Sequence, residues 1–173
     1  MSEVPVAEHG LLSDCGAAGL VTSGGSVDWL CLPRFDSPSV LGRLLDEEAG
    51  HFSIAPAEGG SATTRRYRPF GRVLETTWET PDGTLVLTDA LALGRHERGH
   101  ELGRSSPGVL LRLARCVSGA VTVRVEYAPR PEFGLLHPRL SNSPGAVVAH
   151  GGATVLVLST RIDMDLVERP PPR

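Results

Sequence analysis

The chain has 173 residues, 40% of them hydrophobic and 21% charged, with a formal net charge of −3. That length supports one domain with a real core and is short for two, and the composition excludes disordered and fibrous classes. A weakly acidic chain without a Lys/Arg stripe carries no electrostatic footprint for nucleic acid, and its apolar runs are too short to cross a bilayer.

The first residues, Met1-Ser2-Glu3-Val4-Pro5, lack the basic stretch and apolar core of a secretory signal. Three cysteines (Cys15, Cys31 and Cys116) are an odd number without paired spacing. They suit reduced thiols acting as small hydrophobes, so a cytoplasmic location is expected.

Glycine (20) and proline (14) punctuate short β-prone runs along the whole chain. The pattern predicts a mostly β protein, an antiparallel sandwich with one short helix. In chain order, Leu20–Thr22 and Ser26–Leu32 flank Ser23-Gly24-Gly25 as a first hairpin. The helix is expected next, with Asp36 or Ser37 as cap, Pro38 at the first position, and Val40, Leu41, Leu44 and Leu45 as its apolar stripe. A second hairpin joins Val73–Thr80 to Thr84–Leu91 through Asp82-Gly83, residues that tolerate positive φ. The polar, Gly-rich stretch Gly94–Pro107 reads as a loop. A third hairpin is predicted from Val109–Val117 to Val121–Tyr127, because Val121, Val123, Val125 and Tyr127 alternate with polar residues. A fourth joins Ala146–Ala149 to Ala153–Ser159 through Gly151-Gly152. One domain over 1–168 is expected, followed by a Pro-rich tail over 169–173.

Several ordered blocks carry a resemblance. They are Gly10-Leu11-Leu12-Ser13-Asp14-Cys15 with Ala17–Val21; the long run from Gly25-Ser26-Val27-Asp28-Trp29 to Arg34-Phe35-Asp36-Ser37-Pro38-Ser39; and Arg65-Arg66-Tyr67 with Val73-Leu74-Glu75-Thr76 and Thr88-Asp89. A weaker block runs from Leu113 to Gly119 and ends at Pro129-Arg130-Pro131-Glu132-Phe133-Gly134. Together they resemble the N-terminal domain of glycoside hydrolase family 15, in its bacterial trehalase-like and glucoamylase-like branch. The chain departs from that pattern at His9, at Gly71-Arg72 and at Leu41.

The resemblance implies a β-sandwich that packs against a catalytic α/α barrel, with both catalytic glutamates on the barrel. No segment here supplies the long amphipathic helices a barrel needs. The implied function is therefore a non-catalytic module that docks on and supports such a barrel, in a parent enzyme that hydrolyses α-glucosidic bonds in trehalose or α-glucans. The resemblance also implies that the family's sandwich is not completed within this chain. Self-association through an exposed interface is a further expectation. No cofactor is expected.

Inverting hydrolysis needs two carboxyl groups roughly 6.5–9.5 Å apart around the sugar, one protonated and one ionised. Asp14, Asp28 and Asp36 are the acids of the distinctive blocks, and simpler structural roles suit them. Asp28 is expected to face away from its strand neighbours and bond a loop, and Asp36 to cap the helix. Asp28, Trp29, Arg34, Phe35 and Asp36 are accordingly candidates for a substrate rim or barrel interface, although for Trp29 filling the core is the expected role, since a large aromatic is core more often than ligand platform. A stand-alone carbohydrate-binding sandwich is the alternative. His96-Glu97-Arg98-Gly99-His100 matches the zinc motif H-E-x-x-H, but its neighbouring glycines oppose the helix that motif requires. Gly24-Gly25 and Gly151-Gly152 join strands without a following helix, so neither is a phosphate loop.

Overall fold

The computed structural model describes residues 4–69 and 71–166. The tail expected at 169–173 lies outside the described residues. The described residues form thirteen strands and two single 3₁₀ turns. A first sheet contains β1 (Gly10–Ser13), β2 (Ala18–Val21), β3 (Ser26–Cys31), β5 (His51–Pro56) and β10 (Val123–Ala128), in that order, with β4 (Ser39–Leu41) pairing the end of β3. A second contains β6 (Thr64–Tyr67), β7 (Leu74–Thr80), β8 (Gly83–Leu91) and β9 (Leu110–Gly119). A third contains β11 (Arg139–Ser143), β12 (Ala146–Gly151) and β13 (Thr154–Ser159). Every strand pair is antiparallel.

Period-two patterning decides which side chains enter the core. On β8, Leu85, Leu87, Asp89 and Leu91 are buried while their neighbours are half-exposed. They meet Leu12, Val21, Val27, Phe52 and Ile54 from the first sheet, with Leu74 and Trp78 from β7. Each fully buried aliphatic or Phe side chain stabilises this interior by about 1.5–3 kcal/mol. The alternation also carries the carboxylate of Asp89 inward, and Arg112 sits directly opposite it on β9. Arg112 Nε and Nη2 donate to Asp89 Oδ1 and Oδ2 at 2.8 and 3.3 Å. Nη2 also donates to Gly25 O at 2.7 Å, and Nη1 reaches Phe52 O, so one guanidinium ties the second sheet to the first.

The hairpins β2–β3, β7–β8 and β12–β13 form as the sequence predicts. Gly25 is required in the first: its φ is +76°, and a Cβ there would lie 2.2 Å from Ile54 O.

Three expectations are overturned. The helix after Pro38 is absent: Ser39–Leu41 is a strand, with Leu41 opposite Leu30 and Ser39 opposite Cys31. Gly42 N then bonds Ala49 O and Leu44 N bonds Asp28 O, so the free edge of β3 captures the segment before a helical turn can close. The hairpin between 109–117 and 121–127 is also absent. β9 pairs β8 while β10 pairs β5, and the residues between them cross from one sheet to the other. Gly119, at φ +63°, packs against Asp82 and leads into that crossing, where Ala120 N bonds Asp82 O and Ala57 N bonds Thr122 O. Finally, Trp29 does not fill the core. Trp78, 1% exposed, holds the central aromatic position instead.

Candidate docking site

The displacement of Trp29 has a local cause. Leu20 pairs Trp29 and Val21 pairs Val27, so Asp28 is an extra, bulged residue on β3. A bulge re-aims the side chains that follow it. Trp29 is half-buried, with its ring centroid 6.3 Å from that of Phe133 at a tilt of 32°. Phe133 and its neighbour Glu132 both take left-handed backbone angles, φ +57° and +58°, which cost of order 1–3 kcal/mol each in a non-glycine residue. The turn is closed by Phe133 N to Ser39 O and Gly134 N to Arg130 O.

Asp28 itself begins a row of polar groups. Ser26 Oγ donates to its Oδ1, and the Arg43 guanidinium lies 3.9 Å from that oxygen. Arg43 also reaches His51 Nδ1, and His51 Nε2 lies 3.4 Å from Glu126 Oε2. The row thus crosses β3, β5 and β10. Burial, followed by the Arg43 charge, holds the His51 imidazole below its ordinary range, so it accepts from Arg43 as a neutral ring.

Arg34, Phe35 and Asp36 lie in the β3–β4 connection. Phe35 N donates to Gly16 O at 2.8 Å, which fastens this loop to the β1–β2 turn. That turn is held by the buried Asp14, whose Oδ1 accepts from Gly16 N and Ala17 N at 2.8 and 2.6 Å. Ser106 Oγ, from the β8–β9 loop, donates to Asp14 O. Three loops therefore meet at one end of the sandwich. On them the Phe35 ring is 66% exposed, flanked by the bidentate pair from Arg34 Nε and Nη2 to Asp36 at 2.8 and 3.0 Å. The hydrogen bond from Arg34 keeps the Asp36 carboxyl below the usual carboxylate range. Asp36 caps no helix, since none follows; its partner is Arg34.

The five candidates thus divide over two places: Arg34, Phe35 and Asp36 on the loop end, Asp28 and Trp29 on the bulged strand. The Arg34 guanidinium beside Asp36 favours its ionised form and disqualifies it as a proton donor at neutral pH. The arrangement presents an apolar ring framed by fixed charges, which is binding chemistry.

A model of the trehalase-like N-terminal family matches residues 1–168. This chain belongs to the trehalase-like N-terminal domain family. It is 43% identical over 138 residues to a trehalase of Mycolicibacterium smegmatis, covering 75% of this chain and 21% of that protein. It is 42% identical over 138 residues to a trehalase of Mycobacterium tuberculosis, covering 75% and 20%. Trehalase 1 of Sulfolobus acidocaldarius is 40% identical over 79 residues, 46% of this chain and 14% of that protein. The chain thus spans about a fifth of the length of the mycobacterial trehalases it matches. No solved structure matches it.

In this trehalase-like N-terminal domain the H-E-x-x-H match has no zinc geometry. Gly99–Glu101 is a single 3₁₀ turn, and His96 sits at φ +65°. Glu97 is engaged by the backbone N–H groups of Gly103 and Ser105, which hold its carboxyl below the ordinary range. Among the described residues no group of three or more His, Cys, Asp or Glu could hold a metal ion, and no helix is long and apolar enough to cross a membrane.

Sequence reasoning missed Arg43, His51, Glu126 and Phe133. The block ending at Phe133-Gly134 carried a signal for the last, because Gly134 supplies the positive φ that a tight turn uses. Nothing in the local pattern links His51 to Glu126; only the pairing of β5 with β10 brings them together.

Proposed function

We propose that this domain is the non-catalytic N-terminal module of a family 15 glycosidase acting on the α-glucosidic bonds of trehalose or small α-glucans. It docks on a catalytic α/α barrel and contributes no catalytic group. The observation that carries the reading is the Arg34-Phe35-Asp36 loop: a ring 66% exposed, on a connection fastened to the neighbouring turn by the bond from Phe35 N to Gly16 O. Burying such a ring against a partner is worth about 1.5–3 kcal/mol, and a pre-fastened loop loses little entropy in docking. The named trehalases, roughly five times longer, supply the length for that partner.

The domain is read as one unit over 1–168 in a reducing, cytoplasmic setting, which its three free thiols suit. Self-association through the same loop is the expected behaviour of the domain alone at high concentration. The decisive test is Arg34→Ala and Phe35→Ala in the intact two-domain protein. The reading requires a lower thermal midpoint or altered kinetics on trehalose; no change in either from both variants would refute it.

The Trp29–Phe133 pair favours a second reading, a sandwich that binds carbohydrate by itself, because sugar C–H faces stack on aromatic rings. Calorimetric titration of the domain with trehalose and maltose separates the two. Docking predicts no heat of binding, and a saturable isotherm abolished by Trp29→Ala would favour the sugar platform.

A further inference from the structure

The inner face of β6 does not carry the side chains a core asks for. Arg65 and Tyr67 stand opposite Thr76 and Leu74 of β7, which are 0% and 1% exposed, so all four share the face turned to the first sheet. Yet no residue of β6 is buried, and none joins the hydrophobic core. A strand that buries so little apolar surface gains little hydrophobic stabilisation. Its two inward side chains do something else: both end on backbone groups of the first sheet.

Tyr67 Oη accepts from Leu11 N at 2.7 Å and donates to Leu11 O at 3.0 Å. Leu11 belongs to β1, which ends the first sheet. In an antiparallel ladder every second residue turns both its N–H and its C=O away from the partner strand. Within the four residues of β1 that leaves Leu11 and Ser13. One phenol therefore occupies half of the outward bonding capacity of this edge. Arg65 Nη1 donates to Val21 O at 3.2 Å and Nη2 donates to Glu8 O, which anchors the approach to β1 against β2. Gly10 allows β1 to come this close to the second sheet, since a Cβ there would lie 2.5 Å from Leu74 Cδ2.

We propose that β6 is a latch that closes the β1 edge to a second copy of this chain. An open edge offers one donor and one acceptor at Leu11, and two such edges related by a two-fold axis match donor to acceptor. The side chains match as well. Leu11 pairs Leu20 and Leu20 pairs Trp29, so the three form an apolar stripe on the outer face of the first sheet, with Leu11 51% exposed at its rim. Antiparallel pairing of two β1 strands would join the stripes across the axis and cover both Leu11 side chains. Tyr67 Oη takes the two bonds that the neighbouring strand would make. Behind it, Arg66 and Arg68 both bond Glu75, at 3.3 and 2.8 Å, and hold the latch on β7.

The test uses the whole chain carrying Phe35→Ala, so that association through the β3–β4 loop does not contribute. Sedimentation over a range of protein concentration gives the oligomeric state, and amide hydrogen exchange locates the contact. Adding Tyr67→Ala should speed exchange of the Leu11 N–H in dilute protein, and tighten self-association, each by about tenfold or more. Protection of Leu11 should return at high concentration. Tyr67→Phe, which keeps the ring and loses both bonds, should show the same faster exchange in dilute protein. Leu11→Lys added to Tyr67→Ala sets like charges near each other across the axis and should restore the monomer. The proposal is overturned if neither Tyr67 variant speeds Leu11 exchange, or if Tyr67→Ala leaves the chain as monomeric as before. It is also overturned if that variant associates without protecting Leu11, or if Leu11→Lys leaves the association intact. General unfolding gives one of these last two results and so also counts against the latch. Failure here leaves docking through the β3–β4 loop standing.

Discussion

Replacing Arg112 with methionine keeps most of the side-chain volume and deletes the charge that faces Asp89. The two side chains are 2% and 0% exposed. Breaking a buried pair by removing one partner costs about 3–5 kcal/mol, because the remaining charge is stranded. The lost bond to Gly25 O adds about 1 kcal/mol at most, since that carbonyl keeps Ile54 N at 3.1 Å. Against a typical domain stability of about 5–15 kcal/mol this is severe, equivalent to roughly 6–24 °C in thermal midpoint for a chain this size. The pH dependence identifies the cause. Burial already pushes the Asp89 carboxyl above its ordinary value, with Arg112 pulling the other way. In Arg112→Met only the upward push remains, so the folded state binds a proton that the unfolded state releases above 3.8. Stability of the variant must then rise as pH falls from 7 towards 5. Urea titrations at the two pH values, with unchanged slope, measure both quantities. Asp89→Leu combined with Arg112→Met should restore most of the loss, since an apolar replacement of a buried pair is commonly neutral. A single-variant loss below about 1 kcal/mol, a loss independent of pH, or a double variant worse than the single would each refute the argument.

Gly25→Ala forces a left-handed conformation costing about 1–2 kcal/mol and drives a Cβ to within 2.2 Å of Ile54 O, so chemical denaturation should register a loss larger than the conformational cost alone. His51 has a folded pKa below its ordinary 6.5, so its contribution to stability is present above 6.5 and is lost as pH falls through and below that value. Arg43, Asp28 and Glu126 are the charged groups around it, and His51→Asn, which keeps an acceptor for Arg43, should flatten the thermal midpoint between about pH 7 and pH 5. Phe35→Ala in the domain alone should leave stability within about 0.5 kcal/mol, because the exposed ring supports no part of the core. A larger loss there would assign Phe35 to internal packing and remove the central support for docking.

The β class, three of the four expected hairpins and the family membership were legible in the chain because they rest on local signals. Alternation on β8, glycines at positive φ and an unusual run from Gly25 to Ser39 need no knowledge of distant residues. The helix after Pro38 failed because its capping and apolar spacing are equally local, and the free edge of β3 overrode them with ladder bonds to Ser39 and Leu41. The β9–β10 hairpin failed for the same reason, since adjacency in sequence does not say which sheet a strand will join. Arg34, Phe35 and Asp36 were found as a cluster because they are neighbours in the chain. The row from Asp28 through Arg43 and His51 to Glu126, and the Arg112–Asp89 link, required the register of strands far apart in sequence. Residue order and side-chain chemistry thus set which positions are able to alternate, turn and face water. Which edges pair was settled by long-range backbone bonding, and with it where Trp29 faces and which charges share a bond.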